Sequence, residues 1–179
     1  MKRGAEVGVD ELVRKAKQGN RDALIELVML RKQEYYKLAY VFLGNKEDAL
    51  DAMEDMIVIL YENISRLKKD EAFSTWSKTI LVNCCKKILK NNRKTVSIET
   101  IEEIVAEDGI EHKDNQILLE KYLSQLSDKH QEVIRLRYFL DLEYQVIADI
   151  LKIPLGTVKS RIAYGIERLK ECFGGETSE

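Results

Sequence analysis

Apolar residues recur every three to four positions through most of this chain, the period of helices with one buried face. The places where that recurrence lapses divide the chain. Asn20 is positioned to cap a long helix running towards Leu43, and Gly44-Asn45 to stop it. Ala49, Met53, Met56/Ile57, Leu60 and Ile64 mark a second helix from Glu47 to Ile64. The run MIVIL alone would suit a strand, but the spacing outside it is helical. After a loop around Lys68–Ala72, a third helix is expected from Phe73 or Ser74 to about Asn91. Residues 95–115 hold seven acidic residues and one lysine with weak periodicity, which reads as a flexible acidic linker. Beyond it, helices are expected near 115–126, 129–138, 143–151 and 155–172, the second of them started by Ser127-Asp128. The expected fold is all-α: two small helical domains, 9–94 and 116–172, joined by the linker 95–115.

Composition sharpens this picture. The 45% apolar content suffices for real cores, and the sparse Gly and single Pro favour long helices over strands and turns. A net charge of −2 means that any nucleic-acid surface is a local patch set against acid elsewhere. The opening MKRGAEVGVD has no apolar run behind its basic pair, and the longest apolar run, Leu38–Leu43, is far short of a membrane span. A cytoplasmic chain with no membrane insertion is therefore expected. Cys84 and Cys85 point in different directions on a helix, and with Cys172, His112 and His130 they make no metal-ligand spacing. No convergent His/Cys/Asp set and no phosphate loop is present, so neither metal, cofactor nor catalysis is expected.

Three stretches carry candidate chemistry. At roughly 100° per residue, Val158, Ile162, Gly165, Ile166 and Leu169 share one arc of the last helix. Thr157, Ser160, Arg161, Tyr164 and Arg168 gather on the opposite arc, with Lys159 on the flank. Two arginines, a tyrosine and two hydroxyls are what base-edge and phosphate contacts need. Val146, Ile147, Ile150 and Leu151 on the preceding helix would brace it, giving a helix-turn-helix. The bland alternative is a helical hairpin with a solvated charged face.

The second stretch is FSTWSKTILVNCCKKILKNNRK, residues 73–94, where Lys86, Lys87, Lys90, Arg93 and Lys94 fall on one helical face with no acid after Cys84. Such a face neutralises phosphates and releases counterions. Asn83 sits one turn earlier, within reach of a base edge, and Trp76 is expected to be partly buried. The third is EDALDAMEDMIVILYE, 47–62, whose polar arc carries Glu47, Asp48, Asp51, Glu54, Asp55 and Glu62 with Val58 among them. DNA repels such a face; a partner with basic and apolar groups suits it.

Taken together, these stretches resemble the extracytoplasmic-function sigma factors of bacterial RNA polymerase, over about residues 10–170. GNRDALIELVMLRKQEYYKLAYVFLGNKEDALD resembles the start of the second sigma region. FSTW with Ile80 and Asn83 resembles the helix that reads the downstream promoter element. LSDKHQEVIRLRYFLDLEYQVIADILKIPLGTVKSRI resembles the fourth region, which reads the upstream element.

The resemblance implies a sigma factor that binds core RNA polymerase and directs it to promoter DNA. Asp48, Asp51, Glu54, Asp55 and Val58 would face polymerase, and the helices 115–140 its flap. Trp76, Asn83, Lys86, Lys87 and Lys90 would face the downstream element, with the loop before Phe73 capturing a flipped base. Thr157, Lys159, Ser160, Arg161, Tyr164 and Arg168 would face the upstream element, and an anti-sigma factor is a possible further partner. The chain departs from the family at Glu143, where a serine is common, and at Lys152, where a turn glycine is common. It departs again at Ala163, Tyr164, Gly165 and Glu167, which thin the usual basic run, at Glu54-Asp55, where Gln-Glu is usual, and at Lys87-Ile88, where acid and histidine are common. The alternative function is a stand-alone helix-turn-helix regulator.

Overall fold

The structure, a computed structural model, describes residues 3–95 and 121–175. Among them every regular element is helical: α1 (Arg3–Lys17), α2 (Arg21–Leu30), α3 (Lys32–Leu43), α4 (Lys46–Asn63), α5 (Phe73–Thr95), α6 (Asp128–Ile134), α7 (Tyr144–Leu151) and α8 (Leu155–Gly175). Two short 3₁₀ turns, Ile64–Arg66 and Asp70–Ala72, join α4 to α5. The described residues form two compact units: α1 to α5 make the bulk of the first, and α6 and α8 with most of α7 the bulk of the second. The expected linker 95–115 lies outside the described residues but for Thr95, and so does the first half of the helix expected at 115–126.

Local signals set three of the helix ends. The Asn20 side chain accepts from the Ala23 N–H at 3.0 Å and caps α2. Gly44 takes the left-handed conformation (φ 75°) that ends α3, and its N–H closes on the Tyr40 carbonyl. Asn45 then caps α4 by accepting from Asp48 N–H at 2.8 Å. One expectation fails: there is no single helix from Asn20 to Leu43. The chain breaks at Arg31 (φ −116°, ψ 11°) without a Gly or Pro. The break coincides with a tertiary tie, since the Arg31 guanidinium donates to Ser74 on α5 at 3.0 Å and lies 3.6 Å from Glu34.

The first core is built from Leu24, Leu27, Tyr35, Leu38, Met56, Leu60, Phe73 and Leu81, all buried. α1 packs on α2, α3 on α4, and α1 also lies along both 3₁₀ turns. In the second unit Leu123, Val133, Leu136, Ile147, Val158 and Ile162 are buried. Ser127 precedes α6 as expected, but its hydroxyl makes no cap bond and lies 2.8 Å from His130 Nδ1 instead. The helix expected to reach 138 ends at Ile134 and widens into one π-type turn, Arg135–Phe139. Arg137 secures the chain that follows, donating to Asp141 at 3.1 Å and to the Leu142 carbonyl at 3.2 Å.

Candidate nucleic-acid interface

The turn between α7 and α8 sets the direction of α8. Ile153 N–H reaches back to the Ala148 carbonyl, and Lys152 takes a left-handed backbone (φ 54°), the conformation that a glycine adopts more easily. Pro154 cannot continue α7, and its carbonyl accepts the Thr157 and Val158 N–H groups that open α8. Val158, Ile162 and Gly165 face inward and are buried. A Cβ on Gly165 would sit 3.2 Å from Ile134 Cγ1, so its absence lets α8 seat closely on α6.

On the other face Lys159, Ser160, Tyr164 and Arg168 are exposed, whereas Thr157 and Arg161 are half-buried. The Ser160 hydroxyl donates to the Thr157 carbonyl at 3.1 Å, and Arg168 pairs with Glu171 at 2.6 Å. Tyr164 is not simply directed to solvent: its ring lies against His130 of α6, with centroids 4.6 Å apart. Desolvation of the His130 ring, aided by the charges of Arg161 and Lys129, holds its pKa below the usual imidazole range. The outer surface of α8 therefore continues onto α6 through His130, which the periodicity of α8 alone does not reveal.

On α5, Asn83, Lys87 and Lys90 are exposed while Lys86 and Trp76 are half-buried, Trp76 resting on Phe73. Cys84 and Cys85 are buried; burial pushes the Cys85 thiol up to about 12 and raises Cys84. Neither thiol is a nucleophile near neutral pH.

On α4, Asp51, Glu54 and Val58 are exposed, Val58 at 56%. Asp48 and Asp55 are half-buried and engaged within the unit. Asp48 accepts from Asn45 and from Asn92 of α5, each at 2.9 Å, and Asp55 pairs with Lys87 of α5 at 3.4 Å. The acidic and basic faces thus share an edge. Beside Val58 runs an open apolar groove of about 480 Å³ between α2 and α4, lined in part by Ile25, Met29, Ile57 and Tyr61. Of these only Ile57 stands among the periodic apolar positions expected of the sequence; Ile25, Met29 and Tyr61 do not. Their signal was there: α2 is apolar on two sides, with Leu24, Leu27 and Val28 turned in and Ile25, Met29 and Leu30 turned out.

An all-α chain with a helix-turn-helix in one unit, and basic and acidic-apolar helix faces in the other, has the make-up of a sigma-70-class transcription initiation factor. The family model for Sigma-70 region 2 matches residues 27–95 and that for Sigma-70, region 4 matches residues 122–171. The chain is 30% identical over 182 residues to the ECF RNA polymerase sigma factor SigW of Bacillus subtilis, covering 93% of this chain and 97% of that one. Its fold is similar to that of CnrH, solved in complex with the cytosolic domain of CnrY, with a TM-score of 0.70 and 18% identity over 94% of this chain and 98% of that one. It is also similar to the sigma factor RpoE of Bartonella quintana, solved with the anti-sigma factor NepR, with a TM-score of 0.62 and 23% identity over 83% of this chain and 95% of that one. The chain belongs to the ECF sigma factors of RNA polymerase. Its function is to direct promoter-specific initiation, and a stand-alone regulator is not favoured. Among the described residues, no helix is long and apolar enough to cross a membrane.

Proposed function

We propose a division of labour within this sigma factor. Residues 9–94 hold core polymerase and the downstream promoter element, residues 116–172 read the upstream element, and residues 95–115 tether the two. The observation that carries the reading is the two-faced α8, with Val158 and Ile162 buried and Lys159, Ser160 and Arg168 exposed. Arg161 makes a bidentate base contact, Lys159 and Arg168 contact phosphates, and Thr157, Ser160 and Tyr164 complete the surface.

On α5, Asn83 and Trp76 face bases and Lys86, Lys87 and Lys90 the backbone, with the loop ahead of Phe73 taking the unpaired strand. Polymerase is held by Asp51, Glu54 and Val58, with the groove of Ile25, Met29, Ile57 and Tyr61 receiving apolar side chains. Asp48 and Asp55 support this surface mainly by fixing α4 to α5. The chain supplies readout and strand capture, and polymerase supplies the chemistry. The two solved neighbours were each solved in complex with a partner, one of them an anti-sigma factor, which supports an anti-sigma protein that covers the same surfaces here.

Run-off transcription with core polymerase plus this chain, on the host's genomic fragments, tests the reading. Start sites that share two spaced elements are expected. Specific, tight binding to DNA without polymerase, and no start sites with it, would overturn it.

A further inference from the structure

The loop between α4 and α5 is short, polar at its tip and yet firmly held. Ile64 and Leu67 are buried beneath it, and Phe73 is buried where α5 begins. Two 3₁₀ turns close on themselves, Leu67 N–H on the Ile64 carbonyl and Ala72 N–H on the Lys69 carbonyl. That leaves Arg66, Lys68 and Lys69 exposed as a basic tip. Asp70, the next residue, does not join them at the surface. It turns back to α1, where its carboxylate takes the Lys17 ammonium at 2.7 Å, with each side chain only 25% exposed. α1 lies along both 3₁₀ turns, and its own anchors, Val13 and Ala16, are buried. Of the contacts described, this ion pair is the polar tie between the loop and the rest of the unit.

We infer that Lys17 and Asp70 are positioning residues for strand opening: their ion pair holds the basic loop tip in the shape that grips the backbone of the unpaired promoter strand. The inference rests on the loop's proposed role at the downstream element. Two physical effects support it. Drawing Asp70 inward leaves Glu71 as the one exposed acid of the loop beside three exposed cations, so the tip keeps the net positive charge that attracts phosphates. A partly buried pair also keeps its geometry better than an exposed one, because water and salt screen it less. The loop is then pre-ordered, so capture of the strand does not bear the cost of ordering it. α1 thereby acts on strand opening without touching DNA.

The test uses the full chain in holoenzyme with core polymerase, on a promoter found by start-site mapping, as a closed duplex and with its opened segment made non-complementary in advance. Permanganate reactivity of unpaired thymines reports opening, and run-off product reports initiation. Asp70→Asn and Lys17→Met are each expected to slow opening on the duplex by roughly three- to tenfold, the worth of one partly buried ion pair. The defect should shrink on the pre-opened template, where no melting is needed. The exchanged pair, Lys17→Asp with Asp70→Lys, should recover part of the loss. A variant that merely misfolds would lose both templates alike and would shift the fluorescence melt of Trp76. Unchanged opening in both single variants, or an equal loss on both templates with no rescue, overturns the inference. Failure of the unmodified holoenzyme to open any promoter overturns the underlying functional reading instead.

Discussion

Among the described residues, Lys78 is the single buried charged side chain, and its handling gives a sharp test of the first unit's energetics. It lies on α5 with its side chain 9% exposed, and its ammonium meets Glu34 of α3 at 2.5 Å. Glu34 itself is 45% exposed and 3.6 Å from Arg31. The two partners are therefore not equivalent. Replacing Glu34 by Ala leaves a cation in an apolar setting beside a second cation. Breaking a fully buried pair costs about 3–5 kcal/mol. Here half of the carboxylate is already in water and the lysine stem can swing its ammonium outward, so the cost should fall to about 1–2 kcal/mol.

Replacing Lys78 by Met keeps the stem volume and leaves Glu34 hydrated, so the change should lie within about 0.5 kcal/mol of the parent or stabilise it. Trp76, the chain's single tryptophan, sits two positions away on α5 and reports this unit alone. With a slope of about 1–2 kcal/mol/M in urea, Glu34→Ala should lower the fluorescence midpoint by roughly 0.5–2 M while Lys78→Met leaves it nearly unchanged. The double variant should match Lys78→Met, because the stranded cation is gone. If Lys78→Met unfolds earlier than Glu34→Ala, the pair is a net source of stability and the reasoning from desolvation is wrong.

Reversing Asp51 and Glu54 to lysine should weaken the complex with core polymerase by at least about tenfold with helicity intact, since neither side chain has a partner among the described residues; unchanged co-elution in gel filtration would remove these two from the interface. Arg161→Ala should lower transcription roughly ten- to a hundredfold and relax preference at one upstream position, whereas Lys159→Ala should weaken all promoter variants alike and flatten the salt dependence. An equal loss over a panel of single-base variants would make Arg161 a phosphate contact. Because desolvation first, then Arg161 and Lys129, lower the His130 pKa in the fold, the unfolded chain binds the His130 proton more readily. The stability of the second unit should therefore fall as pH drops through the ordinary imidazole range towards the depressed folded value, and be restored above it. His130→Gln should remove that slope in calorimetric melts across this range, and a slope that survives would assign it to other groups.

The sequence by itself determined the helical class, several helix ends and the buried stripes, but neither α1 as a separate helix nor the break between α2 and α3. Asn20 opens α2 by a side-chain cap, Gly44 ends α3 by its left-handed backbone, and Val158 and Ile162 occupy the buried stripe that their spacing implied. These are local effects, decided by hydrogen bonds three or four residues apart and by helical period, so they are legible without a partner element. The break at Arg31 was not legible, because no residue there forbids helix; it coincides with a bond to Ser74, 43 positions away. The tie of Asp55 to Lys87, which joins two faces that periodicity treats separately, spans 32 positions, and the clasp of Lys17 on Asp70 spans 53. Nor could the one-dimensional pattern show that Ile25 and Met29 on α2 would meet Ile57 and Tyr61 on α4 across an open groove. Helix period says which way a side chain leaves its own axis. Which other axis it meets depends on how the helices pack, and that is set by the whole core at once.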